Sequence, residues 1–162
     1  MAIVLLHSLL NRSMQIRPAE PRDRSEWLRM RAALWPGADA EHAAEIDEFL
    51  RAREGGHTDP AAVLVGSSSG ESLCGFIELS VRSYAEGCAG SAPYVEGWYV
   101  DPQVRGEGKG RGLMQAAEEW ARERGYRELA SDTELENAAS QQAHLALGFE
   151  EVERAVHFRK DL

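Results

Sequence analysis

The chain has 162 residues, 43% of them hydrophobic and 28% charged, which is the size and balance of a single globular domain. The 27 acidic residues outnumber the 18 basic ones, and the net charge of −9 argues against nucleic acid and membrane as partners. It suits a cationic small molecule, although acidity also serves solubility alone. The two cysteines and five histidines show no metal-ligand spacing, so we expect no metal site.

The first residues differ in composition from those that follow. Met1–Leu10 is apolar, Asn11–Ser13 is a polar break, and Met14 opens a segment typical of the start of a domain. We expect residues 1–13 to be an N-terminal extension, from an upstream start or added for expression, and residues 14–162 to be the domain. Since the extension lacks the basic region and cleavage site of a secretory signal, we expect a cytoplasmic protein.

The first half of the chain predicts a strand, two helices and a hairpin. Apolar residues recur at helical spacing in two segments and alternate in the strands. The predicted elements are a strand at Gln15–Arg17, a helix from Pro21 to about Leu34, a helix at about 39–53, and strands at Ala61–Val65 and Ser72–Arg82. A Gly/Ser turn at 66–70 joins the last two strands as a hairpin.

The second half predicts strands and helices in alternation, with a closing pair of strands. The elements are a strand at Pro93–Val100, a helix from about Gly108 to Gly125, a strand at Arg127–Ser131, a helix from Asn137 to about Leu147, and strands at Glu151–Glu153 and Ala155–Arg159. This order predicts an α+β fold with a central mixed, mostly antiparallel sheet flanked by helices.

A glycine-rich stretch between a strand and a helix predicts a phosphate site. The strand ends at Val100, the loop covers Arg105–Gly112, and the helix begins near Gly108, so backbone N–H groups and the helix dipole face outward. A Walker A loop is excluded because Gly110 follows Lys109, where that motif needs Ser or Thr. A dinucleotide-binding turn fits poorly after an antiparallel meander. A glycine-rich loop without a ligand is the alternative.

The spacing Arg105-x-x-Gly108-x-Gly110 after Val-Asp-Pro resembles motif A of the GNAT acetyltransferases. The helix from Asn137, ending in Ala-Leu-Gly-Phe-Glu, resembles a second element of that family. The resemblance implies the GNAT fold, with acetyl-CoA as co-substrate and its pyrophosphate held by this loop. The cofactor-binding residues it implies are Tyr99, Val100, Arg105, Gly106, Gly108, Lys109, Gly110, Arg111, Gly112, Asn137 and His144. Lys109 departs from the apolar residue usual in the family.

Four further segments, in order and spacing, resemble the aminoglycoside 6′-N-acetyltransferases. They are Leu34–Gly37, Val95–Val100, Ala130–Thr133 and His144–Glu151. The resemblance implies direct attack of an aminoglycoside amine on the thioester in a ternary complex, in a homodimeric protein conferring antibiotic resistance. The alternatives are a GNAT enzyme acting on another polyamine or a peptide amine, and a non-catalytic acetyl-CoA-binding module.

Three residues are candidates for the chemistry. An ammonium group must lose a proton before it attacks, and the resemblance makes Glu96 a contact for the substrate amines and a proposed base; the alternative is a solvated strand carboxylate. The Val100 N–H is the oxyanion donor by the same analogy. His144 stands where many GNAT enzymes have a tyrosine that protonates the thiolate, and histidine is able to do so, or to contact the cofactor only.

The remaining candidates are substrate contacts implied by the resemblance. Trp35 is expected at one wall of the pocket, with core packing as the alternative, and Tyr84 on a loop that faces the substrate. Asp132 is expected to bind ammonium groups, with helix capping as the alternative. Glu136 is a weaker candidate in the same loop.

Overall fold

The computed structural model describes residues 14–52, 60–68 and 72–162. The predicted extension at 1–13 and the centre of the predicted turn at 66–70 lie outside the described residues. The elements are β1 (Gln15–Pro18), α1 (Arg24–Leu34), α2 (Asp39–Ala52), β2 (Ala62–Ser67), β3 (Leu73–Arg82), β4 (Ala92–Val100), α3 (Lys109–Glu123), β5 (Ala130–Ser131) and α4 (Ala138–Ala146). Short 3-10 turns at Pro21–Asp23 and Pro102–Val104 precede α1 and α3.

One five-stranded sheet organises the domain, with its strands in the order β1-β2-β3-β4-β5. The first three pairings are antiparallel, and β5 joins β4 in parallel. The predicted hairpin forms between β2 and β3, where Leu64 faces Ile77. The predicted mixed, mostly antiparallel sheet is therefore confirmed. None of the described helices is both long and apolar enough to cross a bilayer.

Helices cover both faces of the sheet, so the central strands are buried on both sides. Trp27 and Met30 of α1 pack with Ile46 and Phe49 of α2 over Phe76. On the other face, a second cluster joins α3 to the sheet. Its members include Leu64, Ile77, Leu79, Val95, Leu113, Met114 and Ala117. Burial of this apolar surface on two faces provides the main stabilising term of the fold.

The helix boundaries near the predicted site follow local signals. Gly108 has a φ of +81° and forms the N-cap of α3, a conformation that favours glycine. The Asn137 side chain accepts a hydrogen bond from the Ser140 N–H at 3.0 Å and caps α4, as predicted.

The two strands predicted at Glu151–Glu153 and Ala155–Arg159 are wrong for this chain, and the strand predicted at Arg127–Ser131 is reduced to Ala130–Ser131. The segment beyond α4 has the alternating pattern of a strand, and Phe158 is 93% exposed. A strand forms only when its backbone groups find a neighbouring strand, and within the described residues none pairs with this segment.

Candidate active site

The site is built around a gap between β4 and β5. The parallel pairing ends at Val95 and Ser131, whereas β4 continues to Val100. Glu78 of β3 faces Gly97 but the next residue, Leu79, faces Val95. Glu96 is therefore the extra residue of a β-bulge. A bulge bends its strand, so Glu96 stands where β4 leaves β5.

Backbone donors of β4 point into this gap. The Asp101 N–H donates to the Cys74 carbonyl of the β3 side at 2.8 Å. Hydrogen-bonded residues alternate along an antiparallel pair, so Trp98 and Val100 present their N–H and C=O groups on the side away from β3. The Val100 carbonyl indeed accepts from Arg105 Nε at 2.8 Å. The edge predicted to hold the oxyanion donor thus offers two N–H groups, from Trp98 and Val100.

The predicted phosphate loop lies at the end of this edge. Gly106 and Gly108 have φ values of +77° and +81°, and α3 begins at Lys109. The Lys109 ammonium is buried and lies 3.2 Å from the Glu107 carboxylate. Outward N–H groups at a helix N-terminus, together with Arg105, suit a pyrophosphate. In contrast, Arg111 donates to the Ala146 carbonyl at 3.2 Å and so ties α3 to α4.

Glu96 is held by two neighbours from β3. Arg82 binds its carboxylate with two hydrogen bonds, Nε to Oε1 at 2.9 Å and Nη2 to Oε2 at 2.7 Å. The Ser80 hydroxyl donates to Oε1 as well. The hydrogen bond to Glu96 raises the pKa of Arg82 above its ordinary value. Glu96 is thus a paired carboxylate, about one-third exposed, and differs from the solvated carboxylate considered above.

Asp132 belongs to the same cluster. The Arg82 guanidinium lies over the Tyr94 ring, 3.4 Å from its centroid. Burial and then the charge of Asp132 raise the pKa of Tyr94 to about 12, with a hydrogen bond to Asp132 adding to the effect. Since Asn137 caps α4, Asp132 is not needed as that cap. We name Ser80, Arg82, Tyr94, Glu96 and Asp132 the acidic cluster.

His144 lies on the other side of the gap. Its Nδ1 is 2.8 Å from the Ser140 carbonyl, which only accepts, so Nδ1 carries a proton. Its Nε2 is 2.8 Å from the Ser131 hydroxyl, and the ring packs edge-on against Trp98 at 5.3 Å and Phe149 at 5.2 Å. Ser131 belongs to the segment Ala130–Thr133 that carries the resemblance, but it was not predicted as a site residue.

Comparison with known proteins identifies the fold family. Residues 24–149 match the family model described as "Acetyltransferase (GNAT) family". The chain belongs to the GNAT family. It is 49% identical over 155 residues to the aminoglycoside N(6′)-acetyltransferase type 1 of Klebsiella aerogenes, covering 94% of this chain and 100% of the relative. The Stenotrophomonas maltophilia protein of that name is 42% identical over 91% of this chain and 93% of the relative.

Solved structures agree with this GNAT assignment. AAC(6′)-Iy in complex with the bisubstrate analogue CoA-S-monomethyl-acetylneamine has a TM-score of 0.82 and 36% identity, covering 93% of this chain and 99% of the other. The aminoglycoside 6′-N-acetyltransferase AAC(6′)-Ih of Acinetobacter baumannii has a TM-score of 0.82 and 32% identity, with the same coverage. The predicted GNAT fold is confirmed.

The other predicted substrate residues of this GNAT domain differ in their surroundings. Trp35 is half-buried, and its ring lies 5.3 Å from the Arg31 guanidinium and against Gly97. It therefore packs beneath the β4 bulge and is also placed to form a wall beside Glu96. Tyr84 is 70% exposed on the loop after β3, and Glu136 is exposed before α4. The described residues include no group of three or more His, Cys, Asp or Glu side chains able to hold a metal.

We expect Gly97→Ala to disturb the GNAT site through Trp35. A Cβ at this position would stand 2.6 Å from Trp35 Cη2 and 3.3 Å from Phe76 Cε2. Overpacking of this kind destabilises by about 1–3 kcal/mol, and moving Trp35 should also raise the substrate KM. Urea unfolding and steady-state kinetics measure the two effects. Gly90→Ala is the matched control, since nothing lies within 4 Å of its added Cβ; equal stability of the two variants would refute the expectation.

Proposed function

We propose that this GNAT protein transfers the acetyl group of acetyl-CoA to the 6′-amine of aminoglycosides by direct attack, and so confers antibiotic resistance. The observation that carries the proposal is the position of Glu96, the bulged residue at which β4 leaves β5. Its carboxylate stands beside a strand edge with unpaired donors, and Asp132 adds a second negative charge to the cluster. A polycationic amine would bind at these carboxylates, and the acyl donor would bind next to it at the β4 edge.

The residues of the loop and α3 suit acetyl-CoA, which would supply the activated acetyl group. Backbone N–H groups from Gly106 to Arg111 would bind the pyrophosphate, with Arg105 and Lys109 adding positive charge. The N–H of Gly112, also predicted to contact the cofactor, instead donates to the Gly108 carbonyl at 3.0 Å within the helix. Because Lys109 is already paired with Glu107, its charge near the phosphates is partly balanced. Tyr99 and Asn137 are retained as proposed cofactor contacts. The Arg111 side chain would reach the cofactor only by giving up its hydrogen bond to the Ala146 carbonyl.

The proposed reaction needs a proton acceptor and an oxyanion site. Glu96 would accept the proton of the substrate ammonium, directly or through water. The Val100 N–H, with the Trp98 N–H on the same edge, would stabilise negative charge developing on the thioester oxygen. Asp132, Trp35, Tyr84 and Glu136 would hold the rest of the substrate. No covalent enzyme intermediate is required, because both substrates are held together.

His144 is the proposed proton donor to the departing thiolate. With Nδ1 bonded to the Ser140 carbonyl, only Nε2 faces the gap, where it meets the Ser131 hydroxyl. Because Nδ1 already carries a proton, His144 would donate as the imidazolium, passing the proton on Nε2 to the thiolate directly or through the Ser131 hydroxyl and returning to the neutral ring. Both routes keep the imidazole in one orientation.

We expect His144→Phe to lower kcat about tenfold, which is below the roughly 100-fold or larger contribution usual for a general acid, because a thiolate is a good leaving group. The phenyl ring keeps the contacts with Trp98 and Phe149 but lacks both nitrogens. Ser140→Ala is the control, since it keeps the carbonyl that accepts from Nδ1 at 2.8 Å and removes only the hydroxyl, 3.4 Å from that nitrogen. Stopped-flow and steady-state assays separate kcat from the KM for acetyl-CoA. An unchanged kcat with a raised KM would assign His144 to cofactor contact alone.

A thiol-release assay tests the function as a whole. Acetyl-CoA is mixed with kanamycin A or with an analogue that carries a hydroxyl in place of the 6′-amine. Release with the first and none with the second is expected. Release with both would place the acetyl group on another amine. Release with neither, while acetyl-CoA still binds, would exclude aminoglycosides and direct the search to other polyamines and peptide amines.

The proposal includes a cytoplasmic homodimer. Val152, Val156 and Phe158, in the segment that follows α4, are 61%, 68% and 93% exposed. Several large exposed apolar side chains in one short segment support a contact with a second copy. Sedimentation velocity with the Phe158→Asp variant measures whether this segment holds two chains together.

A further inference from the structure

Arg82 has no role in the reaction described above, yet it makes the strongest contacts in the acidic cluster. Among the described residues it is the only cation in an ion pair with Glu96. Both carboxylate oxygens accept from its guanidinium, at 2.9 and 2.7 Å, and Oε1 also accepts from Ser80. The charge of Asp132 acts on it too.

This pairing conflicts with the proposed role of Glu96. A substrate ammonium would approach a carboxylate whose two oxygens are already bonded to a planar cation. Two cations on one carboxylate repel each other, so the ammonium and Arg82 compete for the same place. The outcome of this competition depends on the other charges nearby. Asp132 in particular can attract a second ammonium group of the substrate.

The position of Arg82 allows its side chain to leave. It is the last residue of β3, and the loop 83–91 follows it. Its side chain is 42% exposed, compared with 32% for Glu96. While it is bonded to Glu96, the guanidinium already lies over the face of Tyr94, 3.4 Å from the ring centroid, so the ring can continue to hold the cation after the two bonds to Glu96 are lost. No strand pairing needs to break for the side chain to move.

We propose that Arg82 is an internal counter-ion that occupies the place of the substrate ammonium on Glu96 and leaves it when a polycation binds. The inference rests on the proposed function of Glu96 and deepens it by assigning the residue that sets a common cost on substrate binding. Every substrate ammonium that binds Glu96 must displace Arg82, and the cost of doing so is the same for each substrate. A substrate with one amine has only the Glu96 contact to offset that cost, whereas a polyamine has a second ammonium for Asp132 and so binds well in spite of it.

Arg82→Gln tests this directly by titration calorimetry with neamine and with 6-amino-6-deoxyglucose, a sugar with one comparable amine. The variant should bind both ligands more tightly, each by about tenfold, because neither then has to displace Arg82 from Glu96. Arg24→Gln is the matched control. Arg24 also binds a carboxylate with two N–H groups, that of Asp47, and the two side chains are 40% and 43% exposed. The control should change neither affinity.

Weaker or unchanged binding by Arg82→Gln would overturn the inference, because a residue that only positions Glu96 would weaken binding when removed. Arg82→Met, which keeps an unbranched side chain on Tyr94, repeats the test if the glutamine variant fails to fold. Glu96→Gln separates the two hypotheses. If it leaves neamine binding and turnover unchanged, the proposed role of Glu96 fails and the inference with it. If it weakens binding while Arg82→Gln does not tighten it, only the inference fails.

Discussion

Glu96→Gln should lower kcat by about 100-fold or more, the range measured for loss of a general base. Glutamine has nearly the same shape and keeps an oxygen that accepts from Ser80 and from Arg82 Nε, so the bulge and the β4 edge are preserved. Its NH2 group replaces the oxygen that accepts from Arg82 Nη2, so that one bond is lost. What disappears is the negative charge and the capacity to take a proton from the attacking ammonium. We therefore expect a loss in turnover that exceeds any loss in stability.

The decisive measurement compares kcat with the Kd for the aminoglycoside. Glu86→Gln is the matched control, because Glu86 is exposed on the neighbouring loop and its charge reaches Tyr94 without joining the ion pair. That variant should bind the aminoglycoside slightly more weakly, because a negative charge that attracts the cationic substrate is lost, and its kcat should be unchanged. Glu96→Asp should restore part of the turnover, since it returns a carboxylate at a shorter reach. A near-normal kcat for Glu96→Gln would remove the base from the proposed mechanism and leave Glu96 as an ammonium contact.

Local signals made the phosphate loop predictable. Glycines at 106 and 108 adopt positive φ, and α3 begins beside them as the sequence indicates. Asn137 caps α4 because its side chain accepts a hydrogen bond from the N–H of Ser140, three residues later in the chain. These features depend on neighbours in the chain, so a pattern of residue types is enough to predict them.

Contacts between distant residues were not predictable in the same way. Arg82 and Glu96 are 14 residues apart, and they meet because a bulge adds one residue to β4. Nothing in the alternation of β4 marks that extra residue. The His144 contact with Ser131 joins a helix to a two-residue strand, and its geometry follows from the parallel pairing with β4. Pairing between non-local strands also explains the wrong prediction of two C-terminal strands.

Glu78 of β3 is a buried carboxylate. It is 2% exposed and accepts from Trp27 Nε1 at 2.7 Å. Arg31 Nε lies 3.1 Å from the same oxygen but is not aligned to donate to it, and Arg31 Nη1 pairs with Glu45 at 2.8 Å. Burial raises the pKa of Glu78 to about 7, although Arg31 and Trp27 oppose the shift.

This raised pKa predicts that the protein loses stability as the pH rises from about 4.5 to 7. In that window folded Glu78 holds a proton that the unfolded chain, with a carboxyl of pKa 4.5, has lost. The folded state therefore binds more protons, and the free energy of unfolding falls with pH, by about 3 kcal/mol in total. Glutamine at this position keeps the bond from Trp27 without the charge. Glu78→Gln should exceed the wild type by about 1 kcal/mol at pH 5 and by about 3 kcal/mol at pH 8.

Urea unfolding at several pH values between 5 and 8 gives the difference between the two proteins, in which the titration of all other groups cancels. Glu26→Gln is the control on α1. Its carboxylate is 43% exposed and pairs with Arg29, so its removal should shift stability equally at every pH. A constant difference between Glu78→Gln and the wild type would contradict the raised pKa. A growing one would mean that a titrating charge lies directly opposite Gly97, one residue from Glu96.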